Sequence, residues 1–352
     1  MKIRTISKIT AAIAALALVA AGTTACRDSR VAETGAGGKP KVTIIVGGLN
    51  KIIYLPATLT RQLGYFDAQG VEVDLQDEQS GATAETALVA GQVQGVVGFY
   101  DHTVDLQAKG QCIQSVVQMA NIPGEAEVVA TKNADAIKSA ADFAGKKLGV
   151  TSLGSSTDFL TKALAAKAGV SADQYTPVKV GAGQTFVASL DQGGIDAGMT
   201  TDPTIASLTN TGKGKVLYDM RTVDGTKSAL GGLYPASSLY LNCDFVKQNH
   251  DVVQKLANAF VATLKWISQH SVEEIAAKMP PSYSGGDQAL YVKSVKDSIG
   301  MFNADGRMDA DGAKNVLNVL ASFSTNVKPK KDSIDLSKTY TTEFVDAAAK
   351  QG

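Results

Sequence analysis

The sequence predicts an α/β fold of two lobes, in which mixed sheets carry helices on both faces. From about Lys41 onward, short β-rich runs alternate with segments of helical spacing, a pattern typical of parallel or mixed sheets. One motif also occurs twice, beginning at Gly81 and again at Gly183. The chain of 352 residues is long enough for two domains.

The elements before residue 100 follow in order from local spacing. Residues 42–46 (VTIIV) predict a first strand, and leucines at helical spacing predict a helix that stops at Gly64. Residues 71–75 (VEVDL) alternate as a second strand should. A helix through Val89 and a third strand at residues 95–98 complete the first unit.

The repeated motif has the form G-x-T-x4-L-x2-G-x-[VI]-[QD]-[GA], from Gly81 to Gly95 and from Gly183 to Ala197. Both copies follow a strand-like run and lead into another. Two copies are too few for a solenoid. The motif therefore indicates two lobes with the same order of strands and helices. The alternative is that these small residues agree by chance.

The C-terminal part of the sequence is mainly helical. Asn249 is placed to cap a long helix, and a Pro280-Pro281 break separates it from further helices. The apolar residues predicted to share one face of that helix are Val253, Leu256, Phe260, Leu264 and Ile267.

The first residues have the form of an export signal. A basic start is followed by the apolar run 9–21, too short for a permanent span, so residues 1–25 predict a cleaved signal peptide; an interfacial or buried helix is the alternative. Cys26 after Ala25 resembles the lipobox of bacterial lipoproteins, although Thr23 stands where Leu is usual. The resemblance implies that Cys26 is acylated and anchors the protein to a membrane. The alternative is ordinary signal-peptidase cleavage that leaves a free Cys.

Residues 26–40 then predict a flexible tether. No later segment is apolar enough to cross a membrane. Lys plus Arg (34) equals Asp plus Glu (34), which gives no indication of a nucleic-acid partner. Cys112 and Cys243 could form a disulfide or remain buried thiols, because sequence alone sets no distance between them.

No catalytic signature appears. The sequence contains no G-x-S-x-G, H-E-x-x-H or P-loop motif, and its 3 histidines have no metal-ligand spacing. We therefore expect no enzyme activity, no cofactor and no metal site.

Four segments together resemble the binding proteins of nitrate, taurine and alkanesulfonate importers, a family that includes pyrimidine-precursor binders. They are residues 63–73 (LGYFDAQGVEV), 88–95 (LVAGQVQG), 142–150 (DFAGKKLGV) and 195–203 (IDAGMTTDP). The last departs from the family's usual Glu-Pro at Asp202. The resemblance implies a type II periplasmic-binding-protein fold whose lobes close over a small solute by a hinge. It also implies a monomer that serves the permease and ATPase of an ABC importer.

The resemblance also implies domain boundaries. Lobe 1 would comprise residues 41–124 and 238–352, and lobe 2 residues 125–237. The crossings between the lobes are expected at residues 128–130 and 238–241.

In such a fold, the turns at the carboxyl ends of the strands face the cleft. Four of these turns are rich in glycine and hydroxyl residues, whose backbone N–H and O–H groups suit an oxyanion without an arginine clamp. Helix capping is the alternative role for each turn. The ligand-binding residues predicted on this basis are Asn50, Lys51, Tyr54, Ser80, Gly81, Thr83, Tyr100, His102, Ser152, Gly154, Ser155, Ser156, Thr185 and Asp202.

Two other functions stay open at this stage. A surface lipoprotein for sensing or adhesion would share the same fold and anchor. Thiamine-pyrimidine synthases also resemble these binders, but that function needs a Cys-rich catalytic segment, and this chain has no Cys cluster. We therefore expect an extracytoplasmic binding protein, anchored to the cell membrane as a lipoprotein, that captures a small anion such as a sulfonate, nitrate or taurine. An aromatic carboxylate and a neutral pyrimidine precursor are the alternative solutes.

Overall fold

A computed structural model describes residues 32–350, which form two β-sheets with helices on both faces. The strands are β1 (Glu33–Thr34), β2 (Pro40–Val46), β3 (Glu72–Asp77), β4 (Gly95–Phe99), β5 (Ile113–Gln118), β6 (Glu125–Ala130), β7 (Lys147–Val150), β8 (Thr176–Lys179), β9 (Ala197–Thr201), β10 (Gly214–Asp219) and β11 (Ser237–Asn242). The α/β class expected from the sequence is confirmed.

The helices alternate with these strands and then dominate the C-terminal part. They are α1 (Leu55–Gln62), α2 (Tyr65–Ala68), α3 (Gly81–Val89), α4 (Asp101–Ala108), α5 (Ser156–Lys167), α6 (Gln184–Gln192), α7 (Thr204–Asn210), α8 (Val223–Leu230), α9 (Cys243–Gln248), α10 (His250–Gln269), α11 (Val272–Lys278), α12 (Gln288–Ser298), α13 (Ala310–Phe323) and α14 (Glu343–Ala349). Among residues 32–350, no helix has the length and apolar character needed to cross a membrane.

The two sheets share one plan. In the first, β3, β2 and β4 are parallel neighbours, and the antiparallel β11 lies between β4 and β5. In the second, β8, β7 and β9 are parallel neighbours, and the antiparallel β6 lies between β9 and β10. The repeated sequence motif falls on equivalent elements, because α3 leads into β4 and α6 leads into β9.

The chain passes between the sheets at residues 119–124 and 220–236, and these two crossings pair with each other. Gly124 N donates to Met220 O (3.1 Å), and Ala236 N donates to Ala120 O (2.9 Å). The crossings expected at residues 128–130 and 238–241 are wrong, because these residues lie inside β6 and β11. Both segments are mainly apolar runs, which mark a buried strand, and a crossing strand can have the same composition.

Part of the predicted tether is ordered on the first sheet. Ala32 N donates to the Asn249 side-chain oxygen (3.0 Å), and β1 pairs with the start of β2. The prediction of a flexible tether is therefore wrong for residues 32–40. The predicted signal peptide, residues 1–25, and the predicted lipid attachment at Cys26 lie outside the described residues.

The C-terminal helices complete the core of the first sheet. Helix α10 buries the face predicted from its spacing, including Val253, Phe260 and Ile267, and it packs on α1, α2 and α14. A disulfide joins Cys112, just before β5, to Cys243 at the start of α9, with the two Cα atoms 5.4 Å apart. This covalent link lies within one lobe and does not restrain the cleft.

Candidate ligand-binding cleft

The turns that follow the parallel strands of the two sheets face each other across a cleft. The starts of α3 and α5 approach each other closely there: a Cβ atom built on Gly154 would lie 4.0 Å from the Ala82 side chain. Helix N-termini carry unpaired N–H groups and a partial positive charge. Each lobe therefore brings one such terminus to the cleft.

The outer part of the cleft is a cavity of about 430 Å³ with walls from both lobes. Predicted residues Asn50, Lys51 and Thr185 lie together in its lining, as do the glycines Gly181 and Gly183. The turn after β2 forms one wall, and the turn after β8 forms the other. This volume suits a small solute.

Lys51 is the buried cation at the floor of this cavity. Its Nζ donates to the carbonyl oxygens of Gly47 (2.6 Å) and Gln79 (3.0 Å), and the residue is only 7% exposed. Burial lowers the pKa of Lys51 to about 8, although the carboxyls of Glu125 and Asp77 oppose that shift. The amine is therefore held between two carbonyls and is still mostly protonated at neutral pH.

Two buried carboxyl groups lie deeper, beside the crossings. Glu125 begins β6, and its Oε1 accepts from Ser156 Oγ (2.9 Å), whereas Oε2 has no hydrogen-bond partner among residues 32–350. Asp101 begins α4, and its Oδ2 accepts from Tyr234 OH (2.8 Å), whereas no described residue bonds to Oδ1. Burial raises the pKa of both carboxyls, that of Glu125 to about 8.

His102 is fully buried between the two lobes. Its Nδ1 lies 2.9 Å from the Glu85 carboxylate, and Nε2 has no hydrogen-bond partner within the described part of the chain. Burial is the largest single effect and opposes protonation, but the carboxylates of Glu85, Asp101 and Asp105 together outweigh it and raise the pKa of His102 to about 9. A Cβ atom on Gly81 would lie 2.8 Å from Nε2, so this nitrogen points at the start of α3. The site therefore contains a protonated N–H beside a helix N-terminus.

Aromatic side chains enclose this polar group. Tyr54 is 2% exposed and meets Phe99 edge to face, with ring centroids 6.3 Å apart. Phe159 from lobe 2 lies 5.6 Å from the His102 ring. Water is therefore largely excluded, which strengthens the charge interactions inside.

Several of the predicted hydroxyl groups bond within their own turns, and that of Ser80 caps α3. Ser80 Oγ accepts from Thr83 N (3.3 Å) and bonds to Thr83 Oγ1 (2.9 Å), and Ser155 Oγ donates to Ser152 O (2.7 Å). Gly154, with φ of 79°, donates its N–H to Asp158. Of this group, Ser156 differs because it bonds to the buried acid Glu125.

Two predicted residues lie away from the cleft cavity. Tyr100 packs inside lobe 1, where its OH bonds to Thr339 Oγ1 (2.6 Å). Asp202 is fully buried, and both of its carboxylate oxygens are used: Oδ1 accepts from Ala206 N (3.0 Å), and Oδ2 accepts from Ser298 Oγ (2.8 Å) and Arg221 Nη1 (3.0 Å). Asp202 is therefore a helix cap and a link between lobes.

Four residues of this site were not predicted from the sequence: Asp101, Glu125, Tyr234 and Phe159. Glu125 had a partial signal, because an acid at the start of an apolar strand is unusual. Asp101, Tyr234 and Phe159 had no recognisable signal in the sequence, because their roles depend on how the two lobes meet.

Comparisons with known proteins agree with this architecture. The NMT1/THI5-like family model matches residues 54–274. A solved structure of a protein from Bordetella bronchiseptica RB50 is 36% identical, with a TM-score of 0.85, and covers 88% of this chain and 97% of that one. No curated protein matches the chain.

Two binding proteins share the fold at low identity. The alkanesulfonate-binding protein SsuA of Xanthomonas axonopodis, bound to MOPS, has a TM-score of 0.68 and 16% identity over 86% of this chain and 98% of its own. The periplasmic nitrate-binding protein NrtA of Synechocystis has a TM-score of 0.66 and 14% identity over 88% of each chain. The fold is therefore that of periplasmic solute-binding proteins.

Proposed function

The chain belongs to the NMT1/THI5-like family, and on that premise we propose that it is an extracytoplasmic solute-binding protein of an ABC importer. Its partners would be the permease and ATPase subunits, and Cys26 would anchor it to the cell membrane as a lipoprotein. The cleft between two lobes of one plan supports this role, because a hinged cleft can enclose a solute and release it. The protein would act as a monomer and without catalysis.

The solute we propose is a small anion, such as a sulfonate or nitrate. The observation that carries this proposal is the protonated, unpartnered Nε2–H of His102 (within residues 32–350) at the start of α3. Lys51 adds a second buried cation nearby. The fold is also that of proteins named for alkanesulfonate and nitrate binding.

The buried carboxyls favour a second candidate, a neutral or cationic solute with N–H donors. Glu125 and Asp101 each hold one oxygen without a partner in the described chain, and a ligand N–H could occupy that place. The two candidates differ in proton linkage. An anion favours the protonated form of the buried acids and so promotes proton uptake, whereas a cation favours proton release.

A binding screen tests the proposal. Sulfonates, nitrate, carboxylates and pyrimidine precursors would be compared by thermal shift. Calorimetry at pH 8, near the pKa of Lys51 and of Glu125, would follow in buffers of different ionisation enthalpy. We expect one anion class to bind with net proton uptake and His102→Gln to weaken it at least tenfold, as for loss of a charge-assisted hydrogen bond. The matched control is His250→Gln, since His250 lies 2.9 Å from Glu343 on the surface. Binding only of neutral heterocycles, with proton release, would overturn the anion assignment.

A further inference from the structure

A second cavity, of about 690 Å³, lies between the lobes on the other side of Phe159. Its lobe 1 wall comes from α4, the end of α13 and residues 324–326, and its lobe 2 wall comes from α5 and residues 169–175. The Phe159 ring separates it from the proposed anion site, since its centroid lies 5.6 Å from that of His102 and 5.9 Å from that of Phe323. The volume is within the range of organic ligand sites.

The walls of this cavity are mixed in character. Phe159, Phe323, Val170 and Ala166 supply apolar surface. The OH of Tyr175, a residue only 5% exposed, has no partner among the described residues. Burial, together with nearby Asp158 and Glu127, raises the pKa of Tyr175, so the hydroxyl keeps its proton and can donate it in a hydrogen bond.

Two lysines also line the cavity, one from each lobe. Lys109 Nζ pairs with Asp105 (2.7 Å), and Lys162 Nζ pairs with Asp158 (2.6 Å). Both side chains are partly exposed, at 44% and 29%. An ammonium has three N–H donors, so each lysine can bond to its aspartate and to a ligand as well.

We propose that this second cavity binds an amphipathic organic anion, with an aromatic or aliphatic body against Phe159 and Phe323 and a carboxylate or sulfonate end at Lys109 and Lys162. Because both lobes form the walls, its occupant bridges them and stabilises the closed arrangement. The proposal does not depend on the importer function, since it rests on a different cavity and on Lys109 and Lys162, although Gly154 and Phe159 border both sites.

Dansylglycine, a fluorescent aromatic carboxylate, is a suitable probe for titration into the purified protein. We expect saturable fluorescence enhancement at a single site. Ala166→Trp, which fills the cavity without removing a hydrogen bond, should weaken binding at least tenfold, and Ala166→Ser should not. The double variant Lys109→Gln/Lys162→Gln should also weaken binding at least tenfold, with the double Lys→Arg variant as its charge-preserving control. If Ala166→Trp does not fold, the two double lysine variants still test the proposed binding site.

Thr185→Trp separates the two cavities, because Thr185 lines the outer cavity of the cleft and does not line the second cavity. It should leave dansylglycine binding unchanged. The proposal is overturned if Ala166→Trp and the lysine pair leave binding intact, if Thr185→Trp abolishes binding, or if no saturable binding is seen at millimolar probe.

Discussion

At the scale of single residues, the cleft is organised by one buried ion pair. His102 would be neutral if burial alone decided its charge, and the Glu85 carboxylate at 2.9 Å reverses that outcome. Asp101 and Asp105 add weaker attraction from the surrounding elements. The pair thus turns an ordinary histidine into a fixed donor aimed at the start of α3.

The ion pair predicts a pH-dependent stability. The pKa of His102 rises from 6.5 to about 9 on folding, so its contribution is complete below pH 6.5 and lost as pH rises through about 9. We expect Glu85→Gln to cost about 3 kcal/mol at pH 6 and much less at pH 9.5. Urea unfolding at several pH values measures this difference. The control Glu343→Gln breaks an equally short pair to the exposed His250 and should cost under about 1 kcal/mol throughout. A pH-independent cost for Glu85→Gln would contradict the charged pair.

At the scale of elements, α12 connects the two lobes near the crossings. It packs on α7 of lobe 2 and on the 3-10 turn Ile52–Tyr54 of lobe 1. Ser298, its last residue, donates to Asp202, and Ile52 N donates to the backbone oxygen of the same aspartate (3.0 Å). One buried residue of lobe 2 is therefore bonded to two segments of lobe 1.

Two serines of α12 make this link testable. Ser298→Ala removes a bond to a buried carboxylate, and we expect a loss of about 2 kcal/mol in the free energy of unfolding. Ser294→Ala is the matched control, because its Oγ donates only to Leu290 O of the same helix and its loss should cost under about 0.5 kcal/mol. Chemical denaturation of both variants measures the difference. Equal costs would show that the link to Asp202 adds nothing to stability.

Sequence reasoning succeeded where the signal was local. The strand at residues 42–46, the long helix with Phe260 on its buried face and the repeated motif depend on spacing and glycine, which report backbone geometry directly. It failed at the crossings and at Glu125 and Asp101. A single acidic residue is usually exposed to solvent, so burial of these two acids is not expected from the sequence. Their burial depends on the second lobe, which covers them.

At the scale of the whole molecule, the structure is two similar sheets joined by a pair of hydrogen-bonded crossings. Each lobe brings a helix start to the cleft, and α3 and α5 meet where Ala82 faces Gly154. A ligand held there would contact both lobes at once. Entry and release of a solute therefore require these two helix starts to separate.

A cross-lobe disulfide tests that requirement. The Cβ separation of 4.0 Å between Ala82 and position 154 lies within the range for a disulfide, although Cys at the positive φ of Gly154 costs roughly 1 kcal/mol. We expect Ala82→Cys/Gly154→Cys to crosslink on oxidation and to slow association of the anion found in the screen at least tenfold, because a closed cleft admits no solute. Reduction should restore the rate. Ala82→Cys alone, treated in the same way, controls for reduction of the native Cys112–Cys243 bond, which lies within lobe 1. Fast association to the crosslinked protein would mean that solutes reach the site without separation of the lobes.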